Sequence, residues 1–369
     1  MLDRVLTLWF PGPATATGED LAEFHCHGGR AVIAAVEDAL AALPGLRLAE
    51  PGEFTRRAFL NGRMDLNAVE GLSDLLAAET QQQRRAALLM AEGHFSRRIE
   101  NWRQELLEVS AMAEAALDFS DEDDVPDAEI EARIDLRLVA LAEQVQAILR
   151  APSAERLRDG IRVVLAGPPN AGKSTLLNAL VGRDAAIVSD IAGTTRDRIE
   201  VPAAIRGVAF LFTDTAGLRD ASGDVVEVMG MERARAALAA ADIILWLGAS
   251  QDLPRVDALL VAAQWDQFPD RPGLPVSAVT GQGMEALIQA LLDRAQDLLP
   301  APGDYALHTR QRDGAARLLQ HVVAATQLDD LLIAAEELRL AREAIDRLTG
   351  RAGTEDMLDQ LFSGFCIGK

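Results

Sequence analysis

Positive charge is in short supply in this chain. Lys and Arg together number 36 against 57 Asp and Glu, a formal net charge of −21 and a pI near 4.6. A surface this acidic repels phosphate over most of its area, which excludes broad electrostatic binding of nucleic acid. Any contact with RNA has to be local, or shared with a second protein. Cysteine is scarce too. Cys26 and Cys366 are the only two, they lie far apart, and they lack metal spacing. That excludes a disulfide framework and fits a reducing, cytoplasmic compartment. No apolar run approaches the ~18 residues of a membrane span, so no membrane partner is expected. The N-terminus shows no basic segment followed by an apolar stretch, the mark of a signal peptide.

What is present is ample apolar material, 49% of 369 residues, enough for two or three packed domains. Residues 1 to about 62 are mixed and turn-rich. Leu6-Thr7-Leu8-Trp9-Phe10 reads as a strand closed by Pro11-Gly12-Pro13, and Ala31 to Leu43 as a helix. The intervening His25-Cys26-His27-Gly28-Gly29 has metal-ligand residue types. A loop or helix-entry role is expected for it rather than metal binding. From about Met64 to Ala151 the pattern is helical, rich in Ala, Leu, Glu, Gln and Arg with apolar residues at i, i+3 and i+4. The acidic run Asp121 to Asp127 interrupts it and reads as a solvated loop. A second helical stretch runs from about Arg310 to Leu361, with Leu331, Leu332, Ala335, Leu338, Ala341, Ile345 and Leu348 on one expected core face. Between the two, Leu157 to Pro300 has α/β character. It reads as an insertion into a helical domain whose halves are remote in sequence.

The most specific stretch lies inside that insertion. Gly167-Pro168-Pro169-Asn170-Ala171-Gly172-Lys173-Ser174-Thr175 fits the phosphate-binding loop G-x-x-x-x-G-K-[ST]. A β-branched run, Ile161 to Ala166, precedes it as a strand, and Thr175 to Leu180 follows as helix. The glycines let backbone N–H groups turn toward phosphates at the positive end of the helix. Asn170, Ala171, Gly172, Lys173, Ser174 and Thr175 are the expected contacts to GTP, with Lys173 on the β- and γ-phosphates and Ser174 on Mg²⁺. Downstream, Ser189, Asp190, Ile191, Ala192, Gly193, Thr194 and Thr195 form a switch-like segment, in which a Thr hydroxyl can complete the Mg²⁺ shell. Val208 to Thr213 reads as a strand ending in Asp214, Thr215, Ala216 and Gly217, where an Asp can serve Mg²⁺ and a Gly N–H the γ-phosphate. Ser277, Ala278 and Val279 follow another strand signal and can contact a base through backbone. In this order, these pieces indicate a GTPase domain.

Its base-recognition motif departs from pattern. Where Asn-Lys-x-Asp is usual, this chain has Ala263-Gln264-Trp265-Asp266. Asp266 can still accept from guanine N1 and N2, so guanine preference with reduced affinity is expected. Leu218 stands where many small GTPases place a water-orienting Gln.

With these residues together the chain resembles the MnmE (TrmE) family of tRNA modification GTPases, over all 369 residues. The resemblance is carried by the phosphate loop with Asn170, Asp190 to Asp197, Asp214 to Arg219, Pro51-Gly52-Glu53-Phe54-Thr55, Phe59-Leu60-Asn61-Gly62 and the C-terminal Phe365-Cys366-Ile367-Gly368-Lys369. It implies an α/β P-loop GTPase domain inserted in an all-α helical domain, preceded by a partial α+β N-terminal domain. The implied division is 1–62 partial folate-binding and dimerisation domain, 63–156 first helical part, 157–300 GTPase domain and 301–369 second helical part. It implies a K⁺-dependent GTPase that forms a homodimer and joins the flavoprotein MnmG in a heterotetramer. Together these would add a carboxymethylaminomethyl group at C5 of the tRNA wobble uridine, with the one-carbon unit from a tetrahydrofolate (5-formyl or 5,10-methylene).

Residue by residue, the resemblance gives Asn170, Ser189, Ile191 and Thr194 to K⁺, and Ser174 and Thr195 to Mg²⁺. It gives Glu227 to positioning the attacking water; an exposed helix-entry carboxylate is the alternative for that residue. Glu23, Arg63 (where many members have Lys) and Lys369 fall at the folate site, and Cys366 at the modification reaction. The match starts inside the family's N-terminal domain, after its first strands, so weak folate binding and a tendency to associate are expected. Two other functions stay open at this point. One is a GTPase switch in assembly on ribosomal RNA, although no GXXG loop follows the GTPase segment. The other is a nucleotide-binding scaffold without turnover.

Overall fold

The computed structural model describes residues 1–118, 127–150, 153–187, 200–214, 234–301, 304, 306–328, 330–350, 362 and 365. The acidic run therefore lies outside them apart from its last residue, which opens a helix. The chain divides into two compact units. One comprises Met1–Ala77, Ala87–Arg150 and Arg310–Lys369, and the other Ala78–Ala86 and Ala151–Thr309. The second is thus an insertion in the sequence of the first. No described helix is long and apolar enough to cross a membrane.

The first unit opens with an antiparallel pair, β1 (Leu6–Phe10) and β2 (Leu21–His25), in register Leu8 opposite Glu23. The pair is a sheet of two strands, and Leu6, Trp9, Phe10 and Phe24 remain exposed. His25 ends β2 and contacts Glu23 at 3.1 Å, whereas His27, beyond the strand, holds Asp3 at 2.8 Å. The two histidines thus have separate partners. No group of three or more His, Cys, Asp or Glu among the described residues could hold a metal ion. A helix follows at Arg30–Ala41, then Glu53–Leu60 and Leu66–Ala77.

The core of this unit is organised by the helix His94–Asp118. Phe95, Ile99, Trp102, Leu106, Val109 and Ala113 recur at i+3 and i+4, and all are buried. The helices Asp127–Leu149 and Leu331–Thr349 pack against it. They contribute Ile134, Leu138, Leu141 and Val145, and Leu338, Ala341, Ile345 and Leu348. The expected face of the last helix is corrected at one end. Leu332 is 67% exposed and Ala334 is buried in its stead. At 3.6 residues per turn Leu332 lies about a third of a turn away from the Leu338 face. Asp330 caps the helix by accepting the N–H groups of Leu332 and Ile333.

A polar clasp joins the remote halves of the helical part. The Arg310 guanidinium spans Glu70 with two bonds of 2.7 Å, and also donates to Asn67 at 2.8 Å and to the Leu348 carbonyl at 3.1 Å. Gln311 adds a bond to Glu70 at 2.6 Å. Asn67 and Gln311 are fully buried. A planar fork meeting a carboxylate and two further acceptors fixes the docking angle as well as adding energy.

The second unit holds a seven-stranded sheet of β3 (Ile161–Ala166), β4 (Ala185–Ile187), β5 (Glu200–Ile205), β6 (Val208–Asp214), β7 (Ile243–Trp246), β8 (Leu259–Ala263) and β9 (Leu274–Val276). Its order is β4-β5-β6-β3-β7-β8-β9. Neighbours from β6 to β9 pair in parallel, and β5 pairs antiparallel with both β4 and β6. All of β3 but Arg162 is buried, as a central strand covered on both faces requires. The carboxyl ends of β6, β3, β7 and β8 follow one another in this order, and a crevice there is where open α/β sheets bind ligands.

Two outcomes follow. Removing Glu70 leaves the Arg310 charge half-buried without its carboxylate, so Glu70→Ala should lower stability by about 2 kcal/mol, below the 3–5 of a fully buried pair. Chemical denaturation of the full chain checks this, and an unchanged midpoint would contradict it. The second concerns Glu53. Its carboxyl is held down to about 2, first by the Arg47 guanidinium, then by the Glu50 N–H, with Arg57 adding to them against burial. A depressed pKa contributes stability that is full above the unfolded value of about 4.3 and is lost as pH falls through the folded one. Amide exchange in Glu53–Leu60 should therefore accelerate, beyond its intrinsic pH trend, between about pH 4 and pH 2. No such excess in the parent chain would refute the anchoring.

Candidate functional site

The phosphate loop leaves the end of β3 and enters the helix Lys173–Asp184. Asn170 sits in left-handed backbone, φ 60°, a conformation that Asn tolerates better than most residues. Gly172 follows at φ 92°, and the Leu176 N–H bonds back to its carbonyl at 2.9 Å. The loop therefore delivers its backbone to the N-terminus of a helix, the end that favours a phosphate.

Lys173, one of two lysines in the chain, is buried. Its ammonium donates to the carbonyls of Gly167 at 3.1 Å and Pro168 at 2.9 Å. A buried cation needs acceptors, and these hold it across the loop. Ser174 donates its hydroxyl to the carboxylate of Asp214, a buried residue at the last position of β6. Pairing of β3 with β6, Leu165 opposite Asp214, brings the two together. Their oxygens form an all-oxygen donor set, the hard-ligand chemistry that Mg²⁺ prefers. The fit is therefore good for that ion.

The base side is built from β8 and β9. A cavity of about 200 Å³ is lined by Gly172, Thr175, Gln264, Asp266, Ala278 and Val279, among others. Buried Ser277 orders the turn after β9. Its N–H donates to Gln282 at 2.9 Å, and its hydroxyl accepts the Thr280 N–H at 3.2 Å. Gln264 has a left-handed backbone, φ 56°, and donates its amide to the Asn170 carbonyl at 3.3 Å. Its side chain thus bridges the base loop to the phosphate loop, with its stem against Gly172. Ala263 offers no side-chain hydrogen bond, and its carbonyl accepts from Arg271 at 3.3 Å, whose guanidinium lies 4.1 Å over the Phe268 ring. Both contacts escaped sequence reasoning. The departure from Asn-Lys-x-Asp was the only signal that pointed to them.

Of the residues singled out from sequence, Gly172, Thr175, Asp266, Ala278 and Val279 line one cavity, and Ser174 of the same phosphate loop bonds to Asp214. Ser189 to Thr195, Thr215, Ala216, Gly217, Glu227, Cys366 and Lys369 lie outside the described residues. Arg63 donates its Nε to the Thr15 carbonyl at 3.1 Å. It also lines a cleft of about 550 Å³ with Phe59, Asp65, Ser96 and Arg97. Glu23, on β2, is not among the residues of that cleft.

A phosphate loop after a central strand, a buried Asp paired with the loop Ser, and an Asp at a base-sized cavity define a P-loop GTPase. It is carried as an insertion within a helical domain. A family profile described as "MnmE helical domain" matches residues 66–366, and one described as "GTP-binding protein TrmE N-terminus" matches residues 1–63. The tRNA modification GTPase MnmE of Rhizorhabdus wittichii is 58% identical over 373 residues, covering 100% of this chain and 84% of its own length. That of Sphingopyxis alaskensis is 53% identical over 382 residues, covering 100% and 91%. Among solved structures, the G domain of the T. maritima FeoB iron transporter aligns with 37% of this chain and 99% of its own at 22% identity, with a TM-score of 0.27. The chain belongs to the MnmE (TrmE) family of tRNA modification GTPases.

The base pocket yields a prediction. Asp266 should keep GDP ahead of ADP, since its carboxylate pairs with two donors that adenine lacks, each bond to a charged group contributing about 1.5–3 kcal/mol. Asp266→Ala should erase that preference, and Ala263→Asn with Gln264→Lys should tighten GDP binding. Calorimetric titration of both nucleotides checks this. Equal affinity of the parent chain for ADP and GDP would contradict it.

Proposed function

We propose that the chain is a K⁺-dependent GTPase that, with the flavoprotein MnmG, adds a carboxymethylaminomethyl group at C5 of the tRNA wobble uridine. The observation that carries this reading is the phosphate loop, with Lys173 and the Ser174–Asp214 pair, whose Gly172 and Thr175 line one cavity with Asp266. GTP hydrolysis in tRNA modification is the activity of the family to which the chain belongs.

On this reading the residues divide the work. Asp266 reads guanine, while Ser277, Ala278 and Val279 border it through backbone. The N–H groups of Asn170, Ala171, Gly172, Lys173, Ser174 and Thr175 cradle the phosphates. Lys173 moves its ammonium from the loop carbonyls to the β- and γ-phosphate oxygens. Ser174 and Thr195 offer hydroxyls to Mg²⁺, with Asp214 behind Ser174. Ser189 to Thr195 serve the nucleotide as a switch segment, and Thr215 to Gly217 serve the γ-phosphate. Mg²⁺ and K⁺ held by these residues would supply compensation of the charge that develops on the phosphates, a task worth about 10³–10⁵ in rate when an arginine does it. Asn170, exposed at the loop apex, offers an amide oxygen to K⁺, joined by Ser189, Ile191 and Thr194. Leu218 cannot orient water, so that role falls to Glu227.

Outside the GTPase unit, Glu23, Arg63 and Lys369 serve a tetrahydrofolate, and Cys366 serves the modification reaction. The division is 1–62, 63–156, 157–300 and 301–369. The protein works in the cytoplasm as a homodimer, whose GTPase domains pair during turnover, and it engages tRNA with MnmG. The acidic surface supports a shared rather than a lone hold on that tRNA.

Turnover in KCl and NaCl at matched ionic strength tests the cation. Hydrolysis should be fast in KCl and slow in NaCl, and Asn170→Ala should abolish the difference with modest loss of GDP affinity. Glu227→Ala should slow hydrolysis while GTP binding persists. Equal rates in the two salts would refute the K⁺ requirement, and an unaltered rate in Glu227→Ala would return that residue to an exposed helix-entry role.

A further inference from the structure

The segment that carries Asp266 is a tight turn held from several sides. Gln264, the first residue after β8, has its left-handed backbone, and its carbonyl accepts the N–H groups of Gln267 at 2.9 Å and Phe268 at 3.0 Å. The Trp265 N–H donates to the carbonyl of Val276, at the end of β9, at 3.2 Å. Asp266 lies within this turn, exposed and lining the cavity. A recognition group on a loop is only as well aimed as the contacts that hold the loop.

One side chain spans the two ends of that segment. Arg271 donates Nη1 to the carbonyl of Ala263, the last residue of β8, at 3.3 Å, and its guanidinium lies 4.1 Å from the centre of the Phe268 ring. The bond ties down the start of the turn, and the cation on the ring ties down its end. Ala263 has only a methyl group, so a brace at this point has to come from elsewhere in the chain. The backbone at Arg271 is itself fixed. Pro272 confines the residue before it to extended conformations. Gly273, φ 117°, runs so close to β8 that a Cβ there would come within 2.7 Å of the Leu260 carbonyl oxygen. Leu274 then pairs with Val261 in the sheet.

We propose that Arg271 is a positioning residue for guanine recognition. Clamped between the Ala263 carbonyl and the Phe268 ring, it fixes the turn that presents Asp266 to the base. This rests on the reading that Asp266 pairs with guanine N1 and N2.

Arg271→Met keeps the aliphatic stem and removes the guanidinium. It is tested in the full chain by calorimetric titration with GDP and with ADP, and by thermal unfolding without nucleotide. GDP affinity should fall about tenfold, the effect of losing one hydrogen bond from a charged donor. ADP affinity and the unfolding midpoint should stay as in the parent. Phe268→Leu removes the ring but keeps apolar bulk, and should weaken GDP alone by about threefold. In a chain carrying Asp266→Ala, Arg271→Met should cause no further loss of GDP affinity, because the brace acts through that carboxylate. Parent-like GDP affinity in Arg271→Met would overturn the proposal. So would an equal loss for GDP and ADP: with the midpoint unchanged it marks a charge that attracts phosphate at long range, and with the midpoint lowered it assigns the contacts to folding alone. A loss that adds in full to that of Asp266→Ala would overturn it as well. Asp266→Ala by itself tests the reading beneath the proposal. Unchanged GDP affinity there removes the carboxylate from base recognition and the proposal with it, whereas a loss there beside parent-like binding in Arg271→Met overturns the brace alone.

Discussion

The GTPase unit depends on buried charge held at the carboxyl ends of neighbouring parallel strands. Lys173 and Asp214 are both about as buried as the core around them, and a charge removed from water is tolerated only when hydrogen-bonded. Two loop carbonyls serve the first and a serine hydroxyl the second. Each partner is supplied by the loop that a triphosphate would occupy. The protein therefore bears the desolvation of both groups in advance, and the nucleotide and its metal meet groups already in place. Electrostatic preorganisation of this kind acts in a site from which water is largely excluded.

Holding those groups requires a rigid sheet. Buried runs such as Val163 to Ala166 give β3 its central place, and the registers of β3 with β6 and β7 bring three strand ends level. The base loop is then tied across by Gln264 to the Asn170 carbonyl. That link joins the loop after β8 to the phosphate loop. Its neutral amide takes a place where a lysine is usual. The helical unit solves a different problem, since its halves are remote in sequence. Arg310 meets this with one planar group bonded to Glu70, Asn67 and the Leu348 carbonyl.

Much of this was legible in the sequence, because it is local. The phosphate loop is nine contiguous residues flanked by a strand and a helix, and the strand ending in Asp214 needed only its apolar run and its end. Helical periodicity marked the core faces, and it erred at Leu332, where one apolar residue at a helix start was assigned to the buried stripe. Contacts set by tertiary approach were not legible. Gln264 could be seen to depart from the usual lysine, but not to reach Asn170. Nothing in the run from Gln267 to Gly273 announces that Arg271 reaches back to the Ala263 carbonyl. Glu23 and Arg63 were grouped by resemblance alone; only Arg63 lines the described cleft.

The central claim is that this crevice hydrolyses GTP in order to modify tRNA. Lys173→Ala tests it most directly, since it removes the buried ammonium without touching the helical unit. Transfer RNA from a deletion strain, complemented with either the parent chain or this variant, is digested and its wobble uridine analysed by mass spectrometry. The account predicts C5-modified uridine with the parent chain and unmodified uridine with the variant, whose GTP turnover is lost in parallel. Full modification in cells carrying only the Lys173→Ala chain would contradict it.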